Sequence, residues 1–253
     1  MTHRANASHI GSSLSIADLL AVLYSKILRL DPGSPGWPDR DRFVLSKGHG
    51  CAALYAALAE CGFFPLEWLD NFYQNGSPLA GHATHKNVPG VELSTGSLGH
   101  GLTIATGMAL AAKRDGKNHR IFCLLSDGEC DEGSTWEPAL FAPHHKLDNL
   151  VVIVDYNKIQ SLGRVEEVIN LEPLASKWSA FGWAVRELEG HNISAIEEAL
   201  STIPYERNRP SCIVAHTVKG KGVSFMEDKL LWHYRAPRSG EFERALAEIE
   251  QAQ

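Results

Sequence analysis

Two polar side chains stand at the ends of neighbouring apolar segments of this chain. Residues 120–126 lead into Asp127, and residues 149–156 lead into Asn157, 30 positions later (157 − 127). Both segments are short and rich in apolar or β-branched residues, which predicts buried parallel strands joined by a helix over residues 132–146. Open parallel sheets bind ligands at the carboxyl ends of their strands. We therefore expect Asp127 and Asn157 to face one ligand site.

The predicted site suits a hard cation beside a phosphate. Mg²⁺ takes one or two protein oxygens and completes its octahedron with water and substrate phosphates. Asp127 and Asn157 both offer side-chain oxygens, and Gly128 lets the backbone approach a phosphate closely because it has no Cβ atom. The sequence predicts Mg²⁺, with Ca²⁺ or Mn²⁺ as substitutes.

The spacing around these residues resembles the diphosphate-binding motif of thiamine diphosphate enzymes, and within that group it resembles transketolase. The matching positions are Asp127-Gly128, Glu132-Gly133, Glu137, 145–147, 149–150 and 155–159. Ser126 stands where the family has its first Gly, and Tyr156 where many thiamine enzymes have a second Asn. Neither departure removes a ligand. The resemblance implies that Asp127, Asn157 and Ile159 bind the metal.

Four histidines are candidates for catalysis, because the neutral-range pKa of imidazole suits it to proton transfer. Residues 42–50, 80–82, 5–9 and, more loosely, 231–235 are similar to transketolase segments that carry functional histidines. The resemblance implies that His49 contacts the cofactor diphosphate at a helix N-terminus. It also implies that His9 and His82 meet the donor sugar, and that His233 reaches the diphosphate and the donor hydroxyls.

Further cofactor contacts are implied by the same resemblance. Residues 94–101 match the segment on the thiazolium side of the cofactor, with Leu98 inside the bent molecule and Gly96 near its pyrimidine ring. His100 stands where many transketolases have Gln, and its role stays open. The full predicted cofactor set is His49, Gly96, Ser97, Leu98, Gly128, Glu132, Asp155, Asn157 and His233.

The resemblance covers only the first, diphosphate-binding half of transketolase. In that family an acid on a second, pyrimidine-binding domain faces the cofactor's aminopyrimidine, and here the resemblance implies that Glu132 and Glu137 lie at the interface with that partner. We therefore predict one subunit of a split transketolase, active only with a pyrimidine-binding C-terminal subunit in an α2β2 heterotetramer. It would transfer a two-carbon ketol unit from a ketose or ketose phosphate to an aldose.

Other functions stay open at this point. The α subunit of a 2-oxoacid dehydrogenase E1 component also binds the diphosphate, but its decarboxylation does not call for the sugar-binding histidines. Deoxyxylulose-phosphate synthase is a nearer relative with full-length chains. A non-catalytic cofactor-binding subunit is a further alternative. The sequence lacks the Gly-x-Gly-x-x-Gly of a dinucleotide site and the paired histidines of a zinc hydrolase.

Composition narrows the class of partner and the compartment. The chain has 253 residues, a formal net charge of −6 and no long Lys/Arg run, so we expect neither nucleic acid nor a membrane as partner. The N-terminus has no signal-peptide pattern and no segment is long and apolar enough to span a bilayer. Five cysteines without a Cys-x-x-Cys pair indicate reduced thiols, so the predicted location is cytoplasmic.

Helical and strand-like segments alternate along the chain, which predicts an α/β fold. We expect one thiamine-diphosphate-binding domain over residues 1–253, with a mostly parallel sheet and helices on both faces. Ser-x-x-Asp and Ser-x-x-Glu patterns predict capping boxes at Ser15 and Ser194. Predicted helices are 15–28, 48–60, 65–72, 98–113, 132–146, 172–181, 194–203 and from about 240; predicted strands are 42–46, 120–126, 149–156, 183–187 and 211–216.

Overall fold

A parallel five-stranded sheet forms the centre of the computed structural model, which describes residues 1–251. Its strands are β1 (Arg42–Leu45), β2 (Ile121–Ser126), β3 (Leu150–Tyr156), β4 (Ala184–Glu189) and β5 (Ser211–His216). Their order across the sheet is β1-β2-β3-β5-β4, and every neighbouring pair is parallel. The carboxyl ends of β1, β2, β3 and β5 therefore meet at one edge.

Helices cover the two faces of this sheet. The α-helices are α1 (Thr2–Ala5), α2 (Ile10–Leu14), α3 (Ala17–Val22), α4 (Cys51–Glu60), α5 (Gly101–Arg114), α6 (Gly133–His144), α7 (Val165–Val168), α8 (Leu174–Ala180), α9 (Ile193–Ser201) and α10 (Ser239–Gln251). A π-helical turn, Leu23–Ile27, extends α3. Short 3₁₀ turns span Gly48–Gly50, Leu66–Asn71, Asp127–Asp131 and Leu230–His233.

Alternate side chains of each central strand enter two separate hydrophobic cores. On β2, Phe122 and Leu124 pack with α3, α4 and α9, whereas Cys123 and Leu125 pack with α5, α6 and α8. All six residues of β2 and all seven of β3 are buried, as expected for parallel strands covered on both faces. The α/β fold predicted from the sequence is confirmed.

Both predicted capping boxes are wrong. Ser15 follows the end of α2, and its hydroxyl lies 2.8 Å from the Asp155 carboxylate and therefore does not cap α3. Helix α9 begins one residue before Ser194, and Asn192 caps it by accepting from the Ala195 N–H at 3.1 Å. In both cases a residue outside the four-residue pattern makes the hydrogen bond. Asp155 accepts from the Ser15 hydroxyl, and Asn192 caps α9 in place of Ser194.

Several helix boundaries also differ from the predictions. The predicted 15–28 helix begins at Ala17, and the predicted 98–113 helix begins at Gly101, because residues 94–99 form an irregular loop. The short helices α1, α2 and α7 were not predicted; each spans four or five residues, too short for a periodic pattern. The C-terminal helix, expected from about 240, begins at Ser239.

Gly48→Ala should destabilise the chain. A Cβ atom at Gly48 would lie 2.5 Å from the Thr95 backbone, so the loop before α5 would have to move. We expect the free energy of unfolding to fall by about 2 kcal/mol, as for overpacked sites. Gly107→Ala, at an exposed position of α5 where a Cβ atom meets nothing within 4 Å, is the control and should stabilise. Chemical denaturation measures both, and equal stability of the two variants would contradict the prediction.

Candidate functional site

The strand ends surround a cavity of about 520 Å³. Its walls come from the loops after β1, β2 and β3, from the N-terminal segment and from the loop after β5, so residues far apart in sequence meet there. Eleven of the thirteen predicted site residues line it: His9, His49, His82, Gly96, Leu98, Asp127, Gly128, Glu132, Asn157, Ile159 and His233. Ser97 and Asp155 do not line the cavity.

Asp127 lies buried at the carboxyl end of β2 and begins a 3₁₀ turn. One carboxylate oxygen accepts from the Gly128 N–H at 2.8 Å, and the other accepts from the Lys158 N–H at 2.7 Å. Burial, followed by the nearby Asp155 carboxylate, raises the pKa of Asp127 to about 6. The buried negative charge is thus under-compensated, which favours a cation beside it.

Asn157 and Ile159 follow β3 and line the same cavity. The Asn157 amide donates to Asp155 at 2.9 Å, and its oxygen accepts from the Ile159 N–H at 3.1 Å. Each carbonyl oxygen has a second lone pair. Within residues 1–251 no three His, Cys, Asp or Glu side chains cluster in a way that would hold a metal. Carboxylate, amide and backbone oxygens therefore remain as ligands, a set that suits Mg²⁺.

The cavity also contains donors suited to an anion. The hydroxyl of Ser12 and the Nδ1 atom of His9 are buried without a hydrogen-bond partner among the described residues. Lys219 is 1% exposed, and its ammonium donates to the Ile159 carbonyl at 2.9 Å. Because buried polar groups normally have partners, these donors fit the oxygens of a bound diphosphate.

The four predicted catalytic histidines form one group. The His9 ring centroid lies 5.2 Å from that of His49, 5.6 Å from His82 and 4.8 Å from His233. The His9 N–H donates to the His233 carbonyl at 3.0 Å, which ties the N-terminal segment to the loop after β5. His9 has a φ of 71°, a left-handed conformation uncommon outside glycine. This uncommon conformation therefore occurs at a residue that lines the cavity, as is typical of functional sites.

Burial keeps several of these rings neutral. It lowers the pKa of His9 to about 4, with His82 as the next cause, and that of His233 to about 3, with Lys219 as the next cause. Burial, then Lys47, also holds the pKa of His49 well below its usual value. Burial and the Lys47 charge lower the pKa of Lys219 to about 8. Neutral imidazoles beside a cationic lysine can both donate and accept protons.

Acid should destabilise the ligand-free chain because of these rings. Between pH 6.5 and about 4, unfolded histidines bind protons that folded His9, His49 and His233 do not, so these three rings lower the melting temperature as the pH falls through this range. Asp127, whose pKa is raised to about 6, acts in the opposite direction, and the three rings together should outweigh this single group. His233→Gln should reduce that dependence. His85→Gln, at an exposed ring outside the cavity, should leave it unchanged. Identical pH profiles for wild type and His233→Gln would contradict this account.

Sequence reasoning missed three buried groups around the site. Lys47 falls within the 42–50 segment and Lys219 shortly after the strand predicted over 211–216, but neither was assigned a role, although both side chains are buried. Glu129 is 0% exposed; it accepts from Ser46 at 2.5 Å and from the Gly99 N–H at 3.0 Å, which joins the ends of β1 and β2 to the loop before α5. Each of the three is a charged residue two or three positions after the end of a buried strand, which was the available signal.

Three further residues singled out in the sequence are exposed. Glu132 and Glu137 are exposed, and Glu132 also lines the cavity. His100 is exposed, and its Nδ1 atom lies 2.9 Å from the Leu98 carbonyl oxygen.

All five cysteines are free. Among residues 1–251, no helix combines the length and apolar character needed to cross a membrane.

Comparisons with known proteins agree on one family. The profile described as "Transketolase, thiamine diphosphate binding domain" matches residues 1–241. The chain is 45% identical to the SqwG subunit of the 6-deoxy-6-sulfo-D-fructose transketolase of a Clostridium species, over 98% of this chain and 90% of that protein. It is 43% identical to one subunit of the apulose-4-phosphate transketolase of Actinobacillus succinogenes, over 96% of this chain and 87% of that protein.

Solved structures show the same likeness in three dimensions. The Campylobacter jejuni transketolase superposes with a TM-score of 0.91 and 34% identity, covering 98% of this chain but 40% of that one. The chain therefore spans about two fifths of a solved transketolase, whereas it spans nearly the whole of the two named subunits.

Proposed function

The chain belongs to the transketolase family and comprises its thiamine diphosphate binding domain, and on this basis we propose that it is the diphosphate-binding subunit of a two-subunit transketolase. The reaction is transfer of a two-carbon ketol unit from a ketose to an aldose. The observation that carries this proposal is the convergence of four histidines, a buried carboxylate and a buried lysine on one cavity at the strand ends. We further propose that residues 1–253 form a single domain.

Oxygen atoms of the chain would hold Mg²⁺, and N–H and O–H donors of the chain would hold the diphosphate. Asp127, the Asn157 amide oxygen and the Ile159 carbonyl are the proposed metal ligands, since all three residues line the cavity. Lys219, His49 and the unpaired hydroxyl of Ser12 would donate to diphosphate oxygens. Gly128 lines the same cavity, and because it has no Cβ atom its backbone can approach a ligand closely.

Two of the histidines, His9 and His82, would act on the sugar. Bound thiamine diphosphate supplies a nucleophilic carbon and an electron sink for breaking and forming carbon–carbon bonds. The chain orients the substrate hydroxyls and moves their protons, a task suited to the imidazoles of His9 and His82. Leu98 and the exposed Leu162 form an apolar wall of the same cavity, which would limit the access of water.

Another polypeptide is proposed to complete the site. Large apolar side chains are exposed beside the cavity and on α6: Leu140, Phe141, Leu162 and Ile169. Such exposed apolar surface is typical of a contact with another protein. Both named relatives are described as subunits, and solved transketolases extend well beyond the matched region. We propose a pyrimidine-binding C-terminal subunit, an α2β2 assembly and a cytoplasmic location.

The substrate is proposed to be a ketose carrying an anionic group. The two relatives are named for 6-deoxy-6-sulfo-D-fructose and for apulose 4-phosphate, which differ in sugar and in anion. The cavity residues of this chain contact the reacting end of the sugar in this proposal, so the partner subunit would select the anionic end.

Reconstitution tests the proposed function. The chain, combined with a pyrimidine-binding subunit from the neighbouring reading frame, should transfer a ketol unit from a ketose donor in the presence of Mg²⁺ and thiamine diphosphate. Neither polypeptide should be active without the other. Product formation from pyruvate but not from a ketose would refute the proposal in favour of a 2-oxoacid dehydrogenase component, and turnover by the isolated chain would refute the need for a partner.

A further inference from the structure

Asp155 is a fully buried carboxylate at the end of β3 that contacts four side chains from four segments of the chain. Its Oδ2 atom accepts from Lys47, from Ser15 at 2.8 Å and from the Asn157 amide at 2.9 Å, and its Oδ1 atom accepts from Thr217. Asp155 and Lys47 are both 0% exposed. Since Asp155 does not line the cavity, it can act on a ligand only through its neighbours.

The contact with Asn157 fixes the orientation of an amide. An ionised carboxylate only accepts hydrogen bonds, so the NH₂ group of Asn157 must face Asp155. On its other side the Asn157 oxygen accepts from the Ile159 N–H at 3.1 Å. A rotation of the amide by 180° would set oxygen against carboxylate and NH₂ against N–H. Both contacts therefore direct the oxygen of Asn157 away from Asp155.

We propose that Asp155 is a positioning residue, which holds the Asn157 amide so that its oxygen, and not its nitrogen, is presented to the bound divalent cation. Lys47 balances the charge of Asp155, and Thr217 binds its second oxygen. This inference rests on the proposed function, because it needs a cation beside Asn157. Groups that orient metal ligands usually affect metal affinity by 10- to 100-fold when removed.

Stability and positioning can be separated because the ion pair can be replaced as a unit. Removing one partner of a buried pair leaves an uncompensated charge, whereas replacing both by groups of similar size is often neutral or stabilising. The variant K47M/D155V removes the pair and the acceptor for Asn157. The variant K47M/D155N removes the pair but keeps an acceptor, and its amide can donate to the Thr217 hydroxyl.

The test is a titration of Mg²⁺ into the complete complex, which contains the partner subunit and saturating thiamine diphosphate. Calorimetry measures the binding affinity. We expect K47M/D155V to bind Mg²⁺ at least about tenfold more weakly than wild type, and K47M/D155N to stay within about threefold. The melting temperatures of the ligand-free chains should not rank the variants in the order of their Mg²⁺ affinities. K47M/D155A, which also lacks the acceptor, repeats the comparison if the valine variant does not fold.

Equal Mg²⁺ affinities of the valine and asparagine variants, near wild type or equally weakened, would overturn the inference, because the acceptor for Asn157 would then have no effect of its own. An absence of Mg²⁺-dependent cofactor binding by the wild-type complex would instead refute the proposed function. The two failures are therefore distinguishable in one experiment.

Discussion

Asp127→Ala is expected to abolish Mg²⁺-dependent binding of thiamine diphosphate, with a loss of affinity of about 100-fold or more. Asp127 is the only carboxylate among the proposed ligands, and it lies in a buried site where its charge is poorly compensated. Without the Asp127 carboxylate, the cation loses its only charged protein ligand. It then loses most of its electrostatic attraction to the site, because opposite charges interact strongly at low dielectric. Titration of the cofactor into the complex, with and without Mg²⁺, measures the effect.

The control for this prediction is Asp131→Ala, in the same 3₁₀ turn. Asp131 also lines the cavity but is not a proposed ligand. Removal of its negative charge should leave cofactor affinity unchanged or tighten it slightly, because the diphosphate is an anion. Unchanged binding by Asp127→Ala would remove Asp127 from the site. Thermal unfolding shows whether a loss of binding reflects a loss of folded protein.

The strand ends were predictable because hydrophobic patterning and parallel pairing act together there. Two buried apolar runs, each ending in a polar residue, placed Asp127 and Asn157 at one sheet edge, and the structure brings both to one cavity. The family resemblance added the histidines, whose positions in loops follow no periodic pattern. Sequence periodicity alone would have found the sheet but not the group of rings around His9.

The polar network behind the cavity was beyond sequence reasoning. Asp155 was predicted to bind the cofactor, yet its partners include Ser15, Lys47 and Thr217, which lie up to 140 positions away. No local pattern specifies such pairings, because Ser15, Lys47 and Thr217 lie in separate segments of the chain that come together only when the sheet has formed. The wrong capping box at Ser15 has the same origin, since its hydroxyl contacts Asp155.

His82→Asn is expected to lower kcat/KM for ketol transfer by about 100-fold while leaving Mg²⁺-dependent cofactor affinity unchanged. The His82 ring is exposed but lines the cavity, 5.6 Å from the ring of His9, so a substrate entering the cavity can contact it. Loss of a group that transfers protons to a reacting hydroxyl commonly costs 10²- to 10⁴-fold.

An exposed side chain can be changed with little effect on stability, so the expected loss should come from the chemistry of His82. His85→Asn is the matched control, since His85 lies three positions further along the same loop, contacts Ser94 at 2.8 Å and does not line the cavity. Steady-state rates of the reconstituted complex and cofactor titrations would be compared for both variants. A parallel fall in cofactor affinity would place His82 against the cofactor, because a residue that meets only the sugar leaves the binding of the cofactor unaffected.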